Sequence, residues 1–204
     1  MKHRNLTLYY TNIDTDLSPK EIELYLNLVS PERKEQIERF HHTDDKKRAL
    51  YGAIMVRGLL QEVYGINTMK LTLEKNKYGK PYFKETPTPH FNISHSGNYI
   101  LCGFHEKELG VDIEQINTYH EDIAYNYFSK QEYITLCQTV LSERARAFYT
   151  YWTLKESYIK YLGKGLSIPL NSFSFYKTDH NFALEYSKYD CNVKHFCESF
   201  KDDY

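Results

Sequence analysis

The chain has 204 residues, 41% hydrophobic and 16% aromatic, enough for one substantial domain or two small ones sharing a core. Its 26 basic and 27 acidic side chains leave a formal net charge of -1. No global field therefore draws it to nucleic acid or to an anionic membrane, and any anion it binds must be met by a local cluster.

Leu6, Leu8 and Tyr10 alternate with their neighbours in the period-two pattern of an opening strand. Ser18-Pro19-Lys20-Glu21 combines an N-cap serine, a first-turn proline and a glutamate in capping-box position, so a helix starts there. Ser30-Pro31 repeats the signal and opens a basic helix carrying Arg33, Lys34 and Arg39. Thr43-Asp44-Asp45 begins a longer helix through Arg48, Val56, Arg57, Leu59 and Leu60, which Gly65 stops. A solvated helix face accounts for these basic residues taken alone.

Leu71 and Leu73 suggest a strand, and Asn76-Lys77-Tyr78-Gly79-Lys80-Pro81 a turn dense in glycine, proline and lysine. Phe91 to Gly97 reads as a strand entering a small-residue turn, with Tyr99 to Phe104 returning as the second arm of a hairpin. Gly97 permits close approach of backbone to a ligand, and Ser94, His95 and Ser96 offer donors to a phosphate. A histidine in a turn is equally an ordinary surface residue, and no GxSxG elbow supports a hydrolase.

Gly110-Val111-Asp112-Ile113-Glu114 alternates apolar and acidic residues. As a strand it sends Val111 and Ile113 to a core and sets Asp112 and Glu114 on the other face, roughly 7 Å apart. Two adjacent carboxylates repel, and a hard cation such as Mg²⁺ removes that cost; a solvated acidic face is the alternative. Ser129-Lys130-Gln131-Glu132 opens another helix in capping-box register. Ser142 starts the last long helix, ended by Gly163, and spacings of four place Trp152, Glu156 and Lys160 on one face. Glu156 and Lys160 suit a surface ion pair. With Gly163-Lys164-Gly165 beyond them they also suit a site for metal and pyrophosphate.

Four cysteines, Cys102, Cys137, Cys191 and Cys197, show no metal-ligand spacing and read as reduced thiols. The first residues lack a signal-peptide apolar run, and no stretch is apolar enough to span a bilayer, so a cytoplasmic protein is expected.

The motifs just named, Asn76 to Pro81, Phe91 to Gly97, Gly110 to Glu114, and Trp152 to Lys160 with Gly163 to Leu166, resemble in order and spacing those of the 4'-phosphopantetheinyl transferases of the surfactin-synthetase-activating type. The likeness also takes in Ser30-Pro31-Glu32, Arg48 with Val56-Arg57, and Phe128-Ser129-Lys130. It implies a pseudo-twofold α+β fold, with halves at residues 1–105 and 106–204 and coenzyme A bound between them. It implies a reaction in which a serine hydroxyl of an apo acyl or peptidyl carrier protein attacks the β-phosphate of coenzyme A and releases 3',5'-ADP. The enzyme is then a monomer that binds neither nucleic acid nor membrane.

The resemblance also distributes roles. It makes Asp112, Glu114 and Glu156 the Mg²⁺ ligands, Lys160 a pyrophosphate contact, and Arg33, Arg48 and His95 phosphate contacts. Lys80, Pro81 and Ser94 become adenine-side contacts. Glu132 matches a residue proposed as base for the serine hydroxyl, and its capping role stays open beside that. Two features depart from the family. Neutral Gln36 stands where a second lysine is common, and family members usually continue past Tyr204 into a last apolar strand, so a shortened second half is expected. A non-catalytic binding protein of the same fold is the alternative function, and a Mg²⁺-dependent phosphohydrolase a weaker third.

Overall fold

A computed structural model describes residues 6–14, 17–86, 89–179, 181–186, 193–195, 197–198 and 204. Helices and strands mix in an α+β chain that divides into two units, Met1–Glu74 with Pro81–Leu109, and Lys75–Lys80 with Gly110–Tyr204.

In the first unit the helix boundaries follow local chemistry. Helix α1 (Pro19–Leu26) begins with a full capping box: Glu21 N–H donates to Ser18 Oγ, and Ser18 N–H donates to Glu21 Oε2 at 2.8 Å. Helix α2 (Pro31–Glu38) is capped by Ser30, and α3 (Thr43–Tyr64) ends at Gly65, whose φ of 65° is the left-handed stop that glycine adopts readily. Strand β1 (Thr7–Asn12) precedes these helices. Short strands β2 (Leu73–Lys75) and β3 (Pro81–Phe83) follow, then the hairpin β4 (His90–Ser96) and β5 (Tyr99–His105).

The sheet order is β1-β5-β4, all antiparallel. Val56 and Leu60 of α3 pack against Phe91, Cys102 and Phe104 of the sheet, with Phe83 in the same cluster; Val29, Ile37 and Leu50 form a smaller one. Strand β1 lies where the alternation of Leu6, Leu8 and Tyr10 predicts, but on the opposite phase. Leu8 and Tyr10 are 51% and 57% exposed. Register decides this: Thr7, Tyr9 and Thr11 stand opposite the buried Phe104, Cys102 and Ile100, so Tyr9 is the residue that packs inward.

The second unit is organised on α6 (Leu141–Leu162). Its buried face, with Phe148, Tyr151, Leu154, Tyr158 and Ile159, packs with Phe128, Leu136, Phe173 and Phe175. Around it lie α4 (Glu121–Tyr127), α5 (Lys130–Gln138) and the antiparallel pair β6 (Ser174–Lys177) and β7 (Phe182–Tyr186). Gly163, with φ of 61°, ends α6 as expected. Among the described residues no helix is long and apolar enough to cross a membrane. The expected shortening at the chain end falls on residues 199–203, outside the described set.

The expected strand at Gly110–Glu114 is corrected. The segment carries the predicted alternation, with Val111 and Ile113 buried and Asp112 and Glu114 half-buried as whole residues, though the Asp112 carboxylate itself is enclosed, yet forms no ladder among the described residues. Its neighbour is a helix. A Cβ at Gly110 would come within 1.9 Å of the Ser157 carbonyl oxygen and 2.3 Å of the Tyr161 nitrogen, so the segment's backbone lies directly on that of α6.

Candidate active site

That contact places Asp112 against the half-buried side of α6 that carries Glu156 and Lys160. Lys160 Nζ donates to Asp112 Oδ1 at 2.6 Å, with the aspartate side chain only 3% exposed and the lysine 28%. Glu156, one turn before Lys160, belongs to the same cluster. Its carboxyl is held above the usual range, first by burial and then by the negative charge of Asp112, with Lys160 partly offsetting both. Trp152 continues the stripe towards the start of the helix, stacked on Phe148 with ring centroids 6.1 Å apart.

The donor chemistry suits a hard cation such as Mg²⁺: Asp112 and Glu156 offer carboxylate oxygens whose mutual repulsion such an ion would relieve. Glu114 is placed differently. Its charge bears on the Tyr149 phenol, whose proton is held by burial first and by Glu114 second. No group of three His, Cys, Asp or Glu side chains stands in metal-binding arrangement among the described residues. The coupled pair is Asp112 with Glu156.

Glu132 sits apart from this cluster. It completes the capping box of α5, with Ser129 N–H donating to Oε2 at 2.8 Å. Its Oε1 accepts from Phe175 N–H at 2.8 Å, and Oε2 also meets Lys155 Nζ at 2.8 Å. Lys155 donates further to the carbonyls of Leu170 and Phe173 and lies over the Phe173 ring. Burial pulls its ammonium below the ordinary range, and Glu132 pulls the other way. Sequence reasoning passed over Lys155. The available signal was its position, four residues from Tyr151 and three from Tyr158 on the apolar stripe, where a charge needs a partner.

The turn Asn76 to Lys80 closes on itself and on the end of α6. Asn76 Oδ1 accepts from the N–H groups of Tyr78 and Lys80 at 2.9 and 3.0 Å, and Asn76 Nδ2 donates to the Gly163 carbonyl at 2.8 Å. Lys80 Nζ donates to the Tyr161 carbonyl at 3.3 Å.

The remaining predicted site residues lie in the first unit. Arg48 donates to the Gly97 carbonyl at 3.3 Å and to Asp45 Oδ1 at 2.8 Å. The Arg48 hydrogen bond holds the Asp45 carboxyl below its usual range, and His95 is near enough to contribute. Arg48, Gly97 and His95 thus share one corner, with His95 exposed and Ser94, the preceding residue of β4, buried. Arg33 donates to Gln36 Oε1 and to the Ala49 carbonyl, both at 3.3 Å, so neutral Gln36 orients the guanidinium rather than repelling it. Burial lowers the Arg33 proton affinity. Pro81 opens β3. Arg57 is a clamp: it donates to the carbonyls of Thr68 and Leu71 and lies over the Phe83 ring.

Comparison with known proteins identifies the family. Residues 16–106 match a family model described as the N-terminal part of 4'-phosphopantetheinyl transferase, and residues 108–204 match the 4'-phosphopantetheinyl transferase superfamily. The chain is 39% identical to 4'-phosphopantetheinyl transferase Sfp of Bacillus subtilis over 83% of its own length and 75% of that protein. It is 40% identical to 4'-phosphopantetheinyl transferase ffp of Bacillus subtilis over the same shares. To 4'-phosphopantetheinyl transferase gsp of Aneurinibacillus migulanus it is 36% identical, over 76% of this chain and 67% of that one. With matches across both units and an acidic-basic cluster built on α6, the chain belongs to the 4'-phosphopantetheinyl transferase superfamily.

Proposed function

We propose that this protein is a Mg²⁺-dependent enzyme that moves the 4'-phosphopantetheine group of coenzyme A onto a serine of an apo acyl or peptidyl carrier protein. The serine oxygen forms a bond to the β-phosphorus, the bond from that phosphorus to the oxygen of 3',5'-ADP breaks, and 3',5'-ADP leaves. The observation that carries this reading is the packing of Asp112 against Glu156 and Lys160 of α6 in a chain of this superfamily.

Asp112, Glu114 and Glu156 would hold the ion, which when bound would offset negative charge on the phosphates. Lys160 supplies a positive charge beside the same carboxylates, where negative charge grows as the phosphorus–oxygen bond breaks. Arg33, Arg48 and His95 take phosphate oxygens, and Lys80, Pro81 and Ser94 flank the adenine. The two readings of Glu132 are unequal: its carboxylate is a cap and an ion-pair partner first, and taking the serine proton requires it to leave Lys155. The pseudo-twofold relation of the halves, and a monomeric cytoplasmic enzyme, complete the reading on the strength of the resemblance.

Intact-mass spectrometry of an apo carrier protein incubated with this chain, coenzyme A and Mg²⁺ tests it. A gain of one phosphopantetheine that EDTA abolishes supports the transferase. A folded chain that binds coenzyme A and adds nothing to the carrier overturns it.

A further inference from the structure

We propose that Asn76 is a positioning residue of this enzyme, fixing the turn that carries Lys80 onto the end of the helix that carries Glu156 and Lys160. The inference rests on the adenine-side reading of Lys80 given above.

Five hydrogen bonds converge on Asn76. Four close the turn: Oδ1 accepts from Tyr78 N–H and Lys80 N–H, the backbone N–H donates to the Lys80 carbonyl, and the backbone carbonyl accepts from Gly79 N–H. The fifth leaves the turn, from Nδ2 to the Gly163 carbonyl at 2.8 Å. A side-chain amide does both because it has an acceptor on one side and donors on the other. The Gly163 carbonyl lies just past the last helical turn, where backbone oxygens lack intrahelical partners and the helix dipole favours a cation. Lys80 supplies that cation at the neighbouring Tyr161 carbonyl.

The seat is tight. A Cβ on Gly163 would come within 3.2 Å of Asn76 Nδ2 and 3.0 Å of Lys80 Cδ, while one on Gly165 would make only an ordinary contact, 3.6 Å, with the Tyr78 carbonyl oxygen. Both glycines have positive φ, so the helix end and the turn fit each other through backbone that only glycine supplies easily. Lys160 precedes Gly163 by less than one helical turn, roughly 4.5 Å along the axis. Holding the Gly163 carbonyl therefore holds the turn of helix on which Lys160 stands. Asn76 in this way sets the separation between an adenine-side group and a pyrophosphate-side group, which a ligand spanning both must match.

The test uses the full chain and two mild variants. Asn76→Asp keeps an oxygen for the turn's N–H groups and turns a carboxylate on the Gly163 carbonyl; Asn76→Ser keeps a short acceptor and cannot reach Gly163. The KM for coenzyme A and the dissociation constant of 3',5'-ADP are expected to rise together, about 5- to 10-fold for one lost hydrogen bond, with a fall in kcat as Lys160 loses its placement. A fall in melting temperature with both constants, and kcat per folded molecule, unchanged in the two variants marks a merely structural asparagine and overturns the inference. Lys80→Ala separates it from the reading beneath it. If that variant leaves 3',5'-ADP binding intact, the adenine-side reading falls and this inference with it. If it weakens 3',5'-ADP while the Asn76 variants do not, the inference alone falls.

Discussion

Glu132 and Lys155 form an ion pair closed to solvent, 2.8 Å apart with side-chain exposures of 1% and 0%. Through Phe175 N–H on one side and the Leu170 and Phe173 carbonyls on the other, the pair ties α5 and α6 to the strand β6 and the segment before it. Lys155→Ala leaves a buried carboxylate without its counter-charge and is expected to cost about 3–5 kcal/mol, read as a lower urea midpoint. Stability within 1 kcal/mol of the parent would contradict this placement. Glu132→Gln keeps the capping oxygen and should lower stability and turnover together. A variant that keeps its melting temperature while losing 100-fold or more in kcat, on the order expected for a lost general base, would restore the base reading.

Asp112→Ala and Lys160→Ala separate two roles in one contact. The aspartate variant should fold and lose transfer, because its carboxylate is the one that Glu156 feels. Near-parental turnover in saturating Mg²⁺ would remove it from the metal set. On the proposed role of Lys160, with its charge acting where negative charge develops, the lysine variant should lower kcat more than it weakens coenzyme A binding. Unchanged kcat with weaker binding would make Lys160 a ground-state contact.

Gly110→Ala is expected to damage site and fold together. The added methyl meets helix backbone, so the segment must lift away and carry Asp112 from Lys160. A loss of at least about 1–3 kcal/mol, with turnover reduced beyond the unfolded fraction, is the expected result of thermal melts and assays in parallel. An alanine variant with parental activity would show that the contact does not position Asp112.

His195 gives stability a pH dependence of known sign. It stands edge-on to the rings of Phe175 and Tyr158, its Nε2 buried without a hydrogen-bond partner among the described residues. Burial pushes its pKa down to about 4 from an ordinary 6.5. The unfolded chain takes up the proton first as pH falls, so the contribution is complete above pH 6.5 and lost towards pH 4. Allowing for partial solvent screening, His195→Gln should flatten the stability curve in that window by about 1–3 kcal/mol. Parallel curves for parent and variant would refute it.

What the sequence made legible was local. Ser18, Ser30 and Ser129 announce helix starts, and Gly65 and Gly163 stops, because caps and left-handed turns are decided within four residues. Helix α4 starts at Glu121 after His120, which supplies no side-chain cap, and went unread. The phase of β1 depends on its register with β5, and the course of Gly110–Glu114 on a helix nearly fifty residues later; neither is a local quantity. In the site, helical spacing shows that Glu156 and Lys160 share a face, and the motif resemblance brings Asp112 to them. The capping bond of Glu132 is readable from Ser129, but its Phe175 partner lies 43 residues away.

Cys102, sealed between α3 and the sheet of the first unit, has its thiol pushed up to about 12 by burial, while Cys137 is exposed. Alkylating reagents attack thiolate, so a native molecule should be labelled at Cys137 and spared at Cys102. Cys102 is therefore a natural timer. The rate at which a short pulse of reagent reaches it measures how often the first unit opens, and a ligand bound to that unit should slow the count without any probe being added to the protein.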